Sequence, residues 1–222
     1  MTLRAVIALA ALCVCLVLRA AGFNFDQLEQ TAVKRYGAKA GTAIRDWRAA
    51  LNDVRSVGEM EKLRFINAYI NGRVTFMDDQ VVWAQNDYWA TPLESLSRAQ
   101  GDCEDYVIAK YFSLKYLGVP VAKLRLTYVK ARMGGASSGI IQAHMILAYY
   151  QTPDAEPLVM DNLISEIRPA SRRPDLDPVF SFNNEGVYTA GAQAAGTAGG
   201  ASGLTRWRDL LTRMQSEGFD TN

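Results

Sequence analysis

The sequence contains little cysteine and almost no histidine: three cysteines and one histidine, His144, among 222 residues. Cys13 and Cys15 lie in an apolar N-terminal segment that we expect to be removed, which leaves Cys103 as the only thiol of the mature chain. A single thiol cannot form an internal disulfide, so a disulfide-stabilised fold is excluded. An exported protein exposes a free thiol to oxidation, which favours a functional role for Cys103. The alternative is a buried structural cysteine.

The sequence also lacks an excess of charge of either sign. Its 24 basic residues are balanced by 23 acidic ones, for a net charge of +1, and no run of lysine or arginine stands out. Without a basic patch we expect no nucleic-acid partner. With 49% hydrophobic residues the chain can bury one sizeable core or two small ones, which is typical of a globular protein.

The apolar N-terminal segment, residues 5–18, is shorter than the ~20 residues that a transmembrane helix needs. Small residues follow at positions 20–22, as they do at a signal-peptide cleavage site. We therefore predict a signal peptide over residues 1–22 and an exported domain over residues 23–222. The alternative is a retained membrane anchor.

The first half of the domain, to about residue 117, is helical in pattern. Asn24 and Asp26 are predicted to cap the first helix, which runs through Arg35, and Thr42 is predicted to cap the second. Residues 74–92 lack periodicity and predict a packed loop region. A later helix is predicted over Cys103–Tyr116, with Asp102 as its cap. The second and third helices carry apolar residues at helical spacing: Ile44, Trp47, Leu51 and Val54, then Met60, Leu63, Ile66 and Ile70.

After about residue 118 the pattern changes from helix to strand. Strands are predicted over residues 121–130, 140–150, 157–163 and 179–188, followed by an amphipathic helix over Leu204–Glu217. Glycine-rich and proline-containing turns favour an antiparallel meander. We therefore predict an α+β fold, in which a helical lobe (about 23–117) packs against an antiparallel sheet lobe (about 118–222).

Cys103, His144 and Asp161 are the parts of an activated thiol nucleophile. The thiolate is the reactive form, and a free thiol has a pKa near ~8.5. A helix N-terminus and a protonated imidazole both favour the negative sulfur, so we expect Cys103 and His144 to form an ion pair. Asp161 would orient the imidazole, and Asn162 is the neutral alternative. His144 as a satisfied strand histidine is disfavoured, because it is the only imidazole available to the thiol.

Carboxylates flank the thiol in sequence. Asp102 and Glu104 should raise its pKa by charge repulsion. Together with Asp105, or with Asp78 or Asp79 from the loop region, they would hold a hard cation such as Ca²⁺. An equally supported alternative is that Asp102 caps the helix and that Glu104 and Asp105 favour its first turn.

The oxyanion of the reaction needs two donors. The backbone N–H of Cys103, at the start of the helix, is the first. Trp83, Gln85 and Asn86 are candidates for the second. A tryptophan before a helix is more often part of the core, so Trp83 is left out of the predicted catalytic set.

Three sequence blocks carry a family resemblance: Gly101–Tyr106, Ala143–Met145 and Met160–Asn162. They resemble the blocks of the bacterial transglutaminase-like cysteine proteinases, and most closely the periplasmic LapG type. The resemblance spans most of the mature chain. It implies a papain-like or transglutaminase-like core, in which a helix presents cysteine against a sheet that presents histidine and aspartate. It also implies that Asp102 and Glu104 bind calcium.

The same resemblance implies a biological role. Proteins of this type are calcium-dependent periplasmic endopeptidases that cut a large biofilm adhesin near its N-terminus, in a linker with paired alanines. They are held inactive by an inner-membrane receptor that responds to cyclic di-GMP and binds them through its periplasmic domain. Two alternatives remain at this point: a transglutaminase-type acyl transferase that uses the same triad, and a non-catalytic, calcium-dependent binding module.

Overall fold

The structure is a computed structural model that describes residues 22–189 and 204–221. Residues 1–21 of the predicted signal peptide, which spans residues 1–22, therefore lie outside the described residues. Within the described part, no helix combines the length and the apolar character needed to cross a membrane.

Three helices open the described chain: α1 (Phe25–Tyr36), α2 (Ala38–Asp53) and α3 (Glu59–Arg73). The side chain of Asn24 accepts a hydrogen bond from the backbone N–H of Gln27 and caps α1, as predicted. The apolar residues of α2 and α3 face the core, except Met60, which is 36% exposed.

The prediction that Thr42 caps α2 is wrong. Gly37, at a φ of +89° that favours glycine, turns the chain sharply, so that α2 begins at Ala38. Thr42 lies within the helix, where its hydroxyl donates to the carbonyl of Ala38 at 3.4 Å. A threonine inside a helix often makes this bond to the preceding turn.

Short elements lead from α3 to the helix that carries Cys103. β1 (Thr75–Phe76) pairs in parallel with β2 (Gln100–Gly101), and α4 (Asp79–Val82) and α5 (Pro92–Arg98) lie between them. The following helix, α6 (Cys103–Tyr116), has the predicted bounds. Asp102 occupies its N-cap position, but the side chain makes no capping hydrogen bond. The Asp102 carboxylate is therefore left for another partner.

Six antiparallel strands form the sheet: β3 (Leu124–Arg132), β4 (Ile141–Tyr149), β5 (Leu158–Met160), β6 (Arg168–Pro169), β7 (Leu176–Asn183) and β8 (Gly186–Thr189). Their order is β6-β5-β4-β3-β7-β8. The predicted meander holds for β3 to β6, whereas β7 returns to the other edge of β3.

The prediction of one strand over residues 179–188 is wrong. The segment forms the β7–β8 hairpin, which turns at Asn184 and Glu185. The side chain of Asn183 accepts hydrogen bonds from the backbone N–H groups of Glu185 and Gly186 and so stabilises the turn. Asparagine often replaces a backbone partner in this way.

The main core lies between the helices and one face of the sheet, to which β4 contributes Met145, Leu147 and Tyr149. A smaller cluster covers the opposite face and includes Ile146 of β4. α7 (Thr205–Glu217) follows the strands in sequence but returns to the helical side, where Trp207 stacks on Phe112 at 5.8 Å. Helices thus pack against an antiparallel sheet, as the sequence predicts.

Candidate active site

Cys103 is the first residue of α6 and faces β4. The backbone N–H of Met145, the residue after His144, is close enough to the sulfur to lower the pKa of the thiol. Cys103 and His144 line one cavity of about 390 Å³ together with Phe76 and Tyr128. The fold therefore brings the predicted nucleophile and the predicted base into the same cavity.

Gly101 is needed for the approach of α6 to the preceding strand. A Cβ atom at this position would lie 2.5 Å from Oδ2 of Asp105. Real side chains do not approach so closely, so any other residue would displace the Asp105 carboxylate. Position 101 therefore requires glycine because a side chain would not fit there, and not because of the backbone conformation.

The second part of the site is a buried pair. His144 Nε2 lies 2.8 Å from Asp161 Oδ1, and both side chains are almost fully buried. Because the carboxylate accepts at Nε2, the neutral imidazole carries its proton there and leaves Nδ1 as the basic nitrogen. Asp161 was predicted to lie on a strand, but it directly follows the end of β5. Asn162, the alternative orienter, makes no such bond to His144.

Asp161 is held by four hydrogen bonds. Oδ1 also accepts from the backbone N–H of Leu163 at 3.1 Å, and Oδ2 accepts from Nη2 of Arg173 at 2.8 Å. The side chain of Asn71 donates to the backbone carbonyl of Asp161 at 2.8 Å. Burial raises the pKa of Asp161, but the bonds from His144, Leu163 and Arg173 outweigh it and bring the pKa to about 2. This carboxylate is therefore ionised at any physiological pH.

Arg173, Asn71 and Lys110 were not predicted from the sequence as site residues. Lys110 lies on α6, seven residues after Cys103, and is fully buried with no hydrogen-bond partner for its Nζ. Burial lowers its pKa to about 7, while the charge of Asp161 raises it. A lysine inside the apolar run Val107–Phe112 was the available signal.

Glu104 lies beside the nucleophile, with Oε2 3.1 Å from Cys103 Sγ. Burial, Glu104 and Asp102 raise the pKa of the thiol well above its ordinary value, and the N–H of Met145 lowers it only in part. These protein groups alone favour the neutral thiol over the predicted ion pair with His144. Charge from another source is needed to stabilise a thiolate here.

A cluster of three carboxylates lies next to the thiol: Asp79 and Asp105 are buried, and Asp102 is partly buried. Oxygen atoms of Asp79, Asp102 and Asp105 lie within 4.8 Å of one another, and each residue has a buried oxygen without a hydrogen-bond partner. Burial raises the pKa of Asp79 to about 6, that of Asp102 to about 10, and that of Asp105 well above its ordinary value, and the negative charge of Glu104 adds to the rise at each of them. Unpaired, converging carboxylate oxygens fit a hard cation such as Ca²⁺.

Of the two predicted calcium ligands, Asp102 belongs to this cluster. Glu104 lies close to Asp102 and Cys103, but its Oε2 faces the sulfur. Asp78, which the sequence offered as an alternative to Asp79, lines the cavity of Cys103 instead of joining the cluster.

The candidates for the second oxyanion donor do not reach the cavity. Trp83, Gln85 and Asn86 are absent from the described residues that line it. Trp83 is half-buried, with the guanidinium of Arg98 5.1 Å from its ring centroid. Tyr128, which was not predicted from the sequence as a site residue, does line the cavity.

A helix that presents a thiol against an antiparallel sheet carrying imidazole and carboxylate defines a cysteine protease with a papain-like or transglutaminase-like core. The chain belongs to the bacterial transglutaminase-like cysteine proteinases, since the model of that family matches residues 43–174, more than half of the sequence.

Solved structures of LapG from Legionella pneumophila are similar to this chain. One has a TM-score of 0.71 and 34% sequence identity, and the match covers 86% of this chain and 97% of LapG. An EGTA-treated LapG structure gives a TM-score of 0.73, and a calcium-bound one gives 0.72, at the same identity and the same coverage of this chain; the match covers 97% and 98% of those chains. No curated protein sequence matches the chain. The prediction of a LapG-type protease is confirmed.

Proposed function

We propose that this protein is a calcium-dependent endopeptidase of the periplasm. Its substrate is a large cell-surface adhesin, which it cuts near the N-terminus in a linker with paired alanines, so that cells leave the biofilm. The observation that carries the proteolytic activity is the His144–Asp161 pair, at 2.8 Å, beside a cavity shared with Cys103. The adhesin and the periplasmic location are what the resemblance of the three sequence blocks implies, and the predicted signal peptide agrees with export.

The side chains define the order of the chemical steps. Nδ1 of His144 takes the thiol proton as the sulfur of Cys103 attacks the scissile carbonyl carbon. The backbone N–H of Cys103 stabilises the resulting oxyanion. The imidazolium, stabilised by Asp161, then protonates the leaving amine, and water hydrolyses the thioester with His144 again as base.

In this proposal Asp79, Asp102 and Asp105 bind the calcium ion, with Glu104 as a further ligand by resemblance. When bound, the ion supplies positive charge that offsets the carboxylates next to the sulfur. The unpaired oxygens of the cluster and the existence of a calcium-bound LapG structure support this assignment.

The same proposal includes a regulator. An inner-membrane receptor for cyclic di-GMP would bind the protease through its periplasmic domain and hold it inactive.

The test uses the mature protein, residues 23–222, and an N-terminal fragment of the host's largest surface adhesin. With Ca²⁺ we expect one cut within the paired-alanine linker, located by mass spectrometry, and no cut by Cys103→Ala. Excess EGTA should abolish the cut. Full activity in EGTA would remove calcium from the proposal, and an uncut fragment would remove the adhesin.

A labelled amine in the same reaction separates proteolysis from acyl transfer, because a thioester can be resolved by water or by an amine. A protease releases two unlabelled fragments. Incorporation of the amine into the adhesin fragment would instead identify a transferase.

A further inference from the structure

Strand β4 is paired along only part of one edge. On the β3 side it is paired from Ile141 to Tyr149, but β5 pairs only with its last three residues, Leu147–Tyr149. Residues 141–143 are exposed. Among the described residues nothing pairs with the β5-side edge of β4 just before His144, so that edge is open there.

Two hydrogen bonds at the ends of the β3–β4 ladder show which residues face this edge. The backbone N–H of Met133 donates to the carbonyl of Ile140 at 2.9 Å, and that of Tyr150 donates to the carbonyl of Lys123 at 2.8 Å. Successive residues of a strand direct their backbone groups to opposite edges. The even-numbered residues of β4 therefore bond to β3, and the odd-numbered ones face the open edge.

The sulfur of Cys103 lies at that same edge. Met145 is odd-numbered, so its N–H faces this edge, close enough to the sulfur to lower the pKa of the thiol. Ala143, on the same edge, lines the cavity of Cys103. Ala143 and Ile141 come next along the edge, at intervals of roughly 6.7 Å for every two residues. Among the described backbone hydrogen bonds, none from another segment reaches the outward groups of these two residues.

We propose that this open edge binds the substrate backbone as an added strand. The outward N–H and C=O groups of Ala143 and Ile141 would hydrogen-bond to alternate residues of an extended peptide whose scissile carbonyl lies at Cys103 Sγ. The inference rests on the proposed protease function and adds the conformation of its substrate. Exposed strand edges are usually protected in proteins, so an open edge that ends at the nucleophile marks a place for a peptide strand.

The apolar surroundings fit such a peptide. Phe76, which lines the cavity of Cys103, is 52% exposed, and Ile141 is 56% exposed. A strand edge pairs only with backbone groups that have no other partner. The substrate class is therefore an extended, unfolded segment with small or apolar side chains, and a helix or a folded domain would have to open locally before cleavage.

The first test uses acetyl-trialanyl chloromethyl ketone, which alkylates the thiol as the Cys103 sulfur displaces chloride and the thiol proton is released. Three analogues each carry one N-methyl group, on the first, second or third alanine amide. Strand pairing predicts an alternating result, because alternate amides face the protein. Methylation of the facing amides should slow labelling about tenfold, the equivalent of one lost hydrogen bond, and the intervening amide should change it less than twofold.

The second test removes a donor from the protein. Ile141→Pro deletes an outward N–H at the first residue of β4, where proline is tolerated, and Ile141→Ala is the matched control that keeps the N–H. We expect Ile141→Pro to be labelled about tenfold more slowly than Ile141→Ala. Alkylation by iodoacetamide, which reports only the reactivity of the thiol, should be equal in both.

The outcomes separate the two proposals. Rapid labelling of Cys103 that shows no alternation, or equal rates for the two Ile141 variants, overturns strand pairing and leaves the protease function standing. Labelling by the peptide ketone that is no faster than labelling by chloroacetamide, in a protein that also fails to cut the adhesin fragment, overturns both.

Discussion

Near Cys103, the carboxylate of Asp161 and the cluster of Asp79, Asp102 and Asp105 differ in their hydrogen-bond and ion-pair partners. Both oxygens of Asp161 are hydrogen-bonded, and an arginine pairs with one of them. Asp79, Asp102 and Asp105 each keep an unpaired buried oxygen, and no described lysine or arginine forms an ion pair with them. Burial acts on both groups, yet the pKa falls at Asp161 and rises in the cluster. Hydrogen-bond and ion-pair partners, rather than burial, therefore decide which of these carboxylates is ionised.

The difference matches the two tasks. A carboxylate that stabilises an imidazolium must be ionised permanently, and protein donors achieve this for Asp161. A carboxylate that binds a metal ion needs oxygens free of protein donors, which is the condition of the cluster. The four predictions that follow alter one group at a time, from the largest expected effect to the smallest.

Asp161→Asn removes the carboxylate whose two oxygens are both hydrogen-bonded. Without its charge the imidazolium loses stabilisation and the tautomer is no longer fixed, so we expect kcat for the adhesin fragment to fall by about 10⁴-fold. The control is Asp175→Asn, because Arg173 also binds Asp175 at 2.8 Å, outside the triad. That variant should stay within about threefold of the wild type. Equal losses in both variants would mean that Arg173 matters rather than Asp161.

Asp105→Asn tests the cluster of Asp79, Asp102 and Asp105, in which each residue keeps an oxygen without a hydrogen-bond partner. The bond from Ala90 N–H to Oδ1 of Asp105, at 2.7 Å, can survive the change, while one charge is removed from the cluster. Saturating calcium at 100 times Kd should stabilise the wild type by about 2.7 kcal/mol, or roughly 5–10 °C in Tm, and should not shift the variant. In EGTA the variant should be the more stable protein, because repulsion is relieved.

Asp78→Asn is the matched control for that experiment, since Asp78 lies in the neighbouring cavity and not in the cluster. It should keep the full calcium shift in differential scanning fluorimetry. A calcium shift that persists in Asp105→Asn, or a variant less stable than the wild type in EGTA, would contradict the assignment of this cluster to a cation.

Asn71→Ala removes a hydrogen bond that positions Asp161 but leaves the charge of the Asp161 carboxylate in place. The change deletes the 2.8 Å bond to the backbone of Asp161, so we expect about tenfold lower kcat with KM nearly unchanged. Asn67→Ala is the control: Asn67 donates to the carbonyl of Ser165 at 2.7 Å, farther along the same loop. Asn67→Ala should lose similar stability but less activity. A parallel loss of kcat in both variants would assign Asn71 a general structural role.

Lys110→Met tests the buried cation on the Asp161 side. With a folded pKa of about 7 against 10.5 for an ordinary lysine, the unfolded chain binds the additional proton between those values. Burial of the charged form therefore destabilises the wild type at low pH, and its stability rises with pH above about 7, by roughly 1 kcal/mol per pH unit. Urea unfolding at pH 7.5 and 8.5 should show this rise only in the wild type. An equal rise in the variant would contradict it.

The sequence alone predicted several parts of the fold because their signals are local. α6 was placed from Cys103 to Tyr116 by the residues that flank it, and α1 by its Asn24 cap. The β7–β8 hairpin was missed because its turn depends on one asparagine side chain, Asn183, within an otherwise strand-like segment. The start of α2 was missed because Thr42 offered a second cap signal next to the true break at Gly37.

The hydrogen-bond partners of Asp161 could not be predicted from residues near it in the sequence. Asn71 lies 90 residues before Asp161 in sequence, and Arg173 lies 12 residues after it, yet both contact it. No periodicity or spacing connects such residues, because the contacts arise only when α3 and the loop after β5 pack together. The roles assigned to Cys103, His144 and Asp161 stay predictions until the variants are assayed, although the fold brings all three to one site.

The sequence by itself determined which chemical groups are available: one imidazole, one thiol outside the predicted signal peptide, and a helix that begins at that thiol. Only the tertiary structure decided which carboxylates receive cationic and amide donors, which keep unpaired oxygens, and which edge of β4 stays open beside the sulfur. The physical reason is that residue identity and capping depend on neighbours in sequence. Hydrogen bonding, burial and pKa depend on groups that folding brings together from distant parts of the chain.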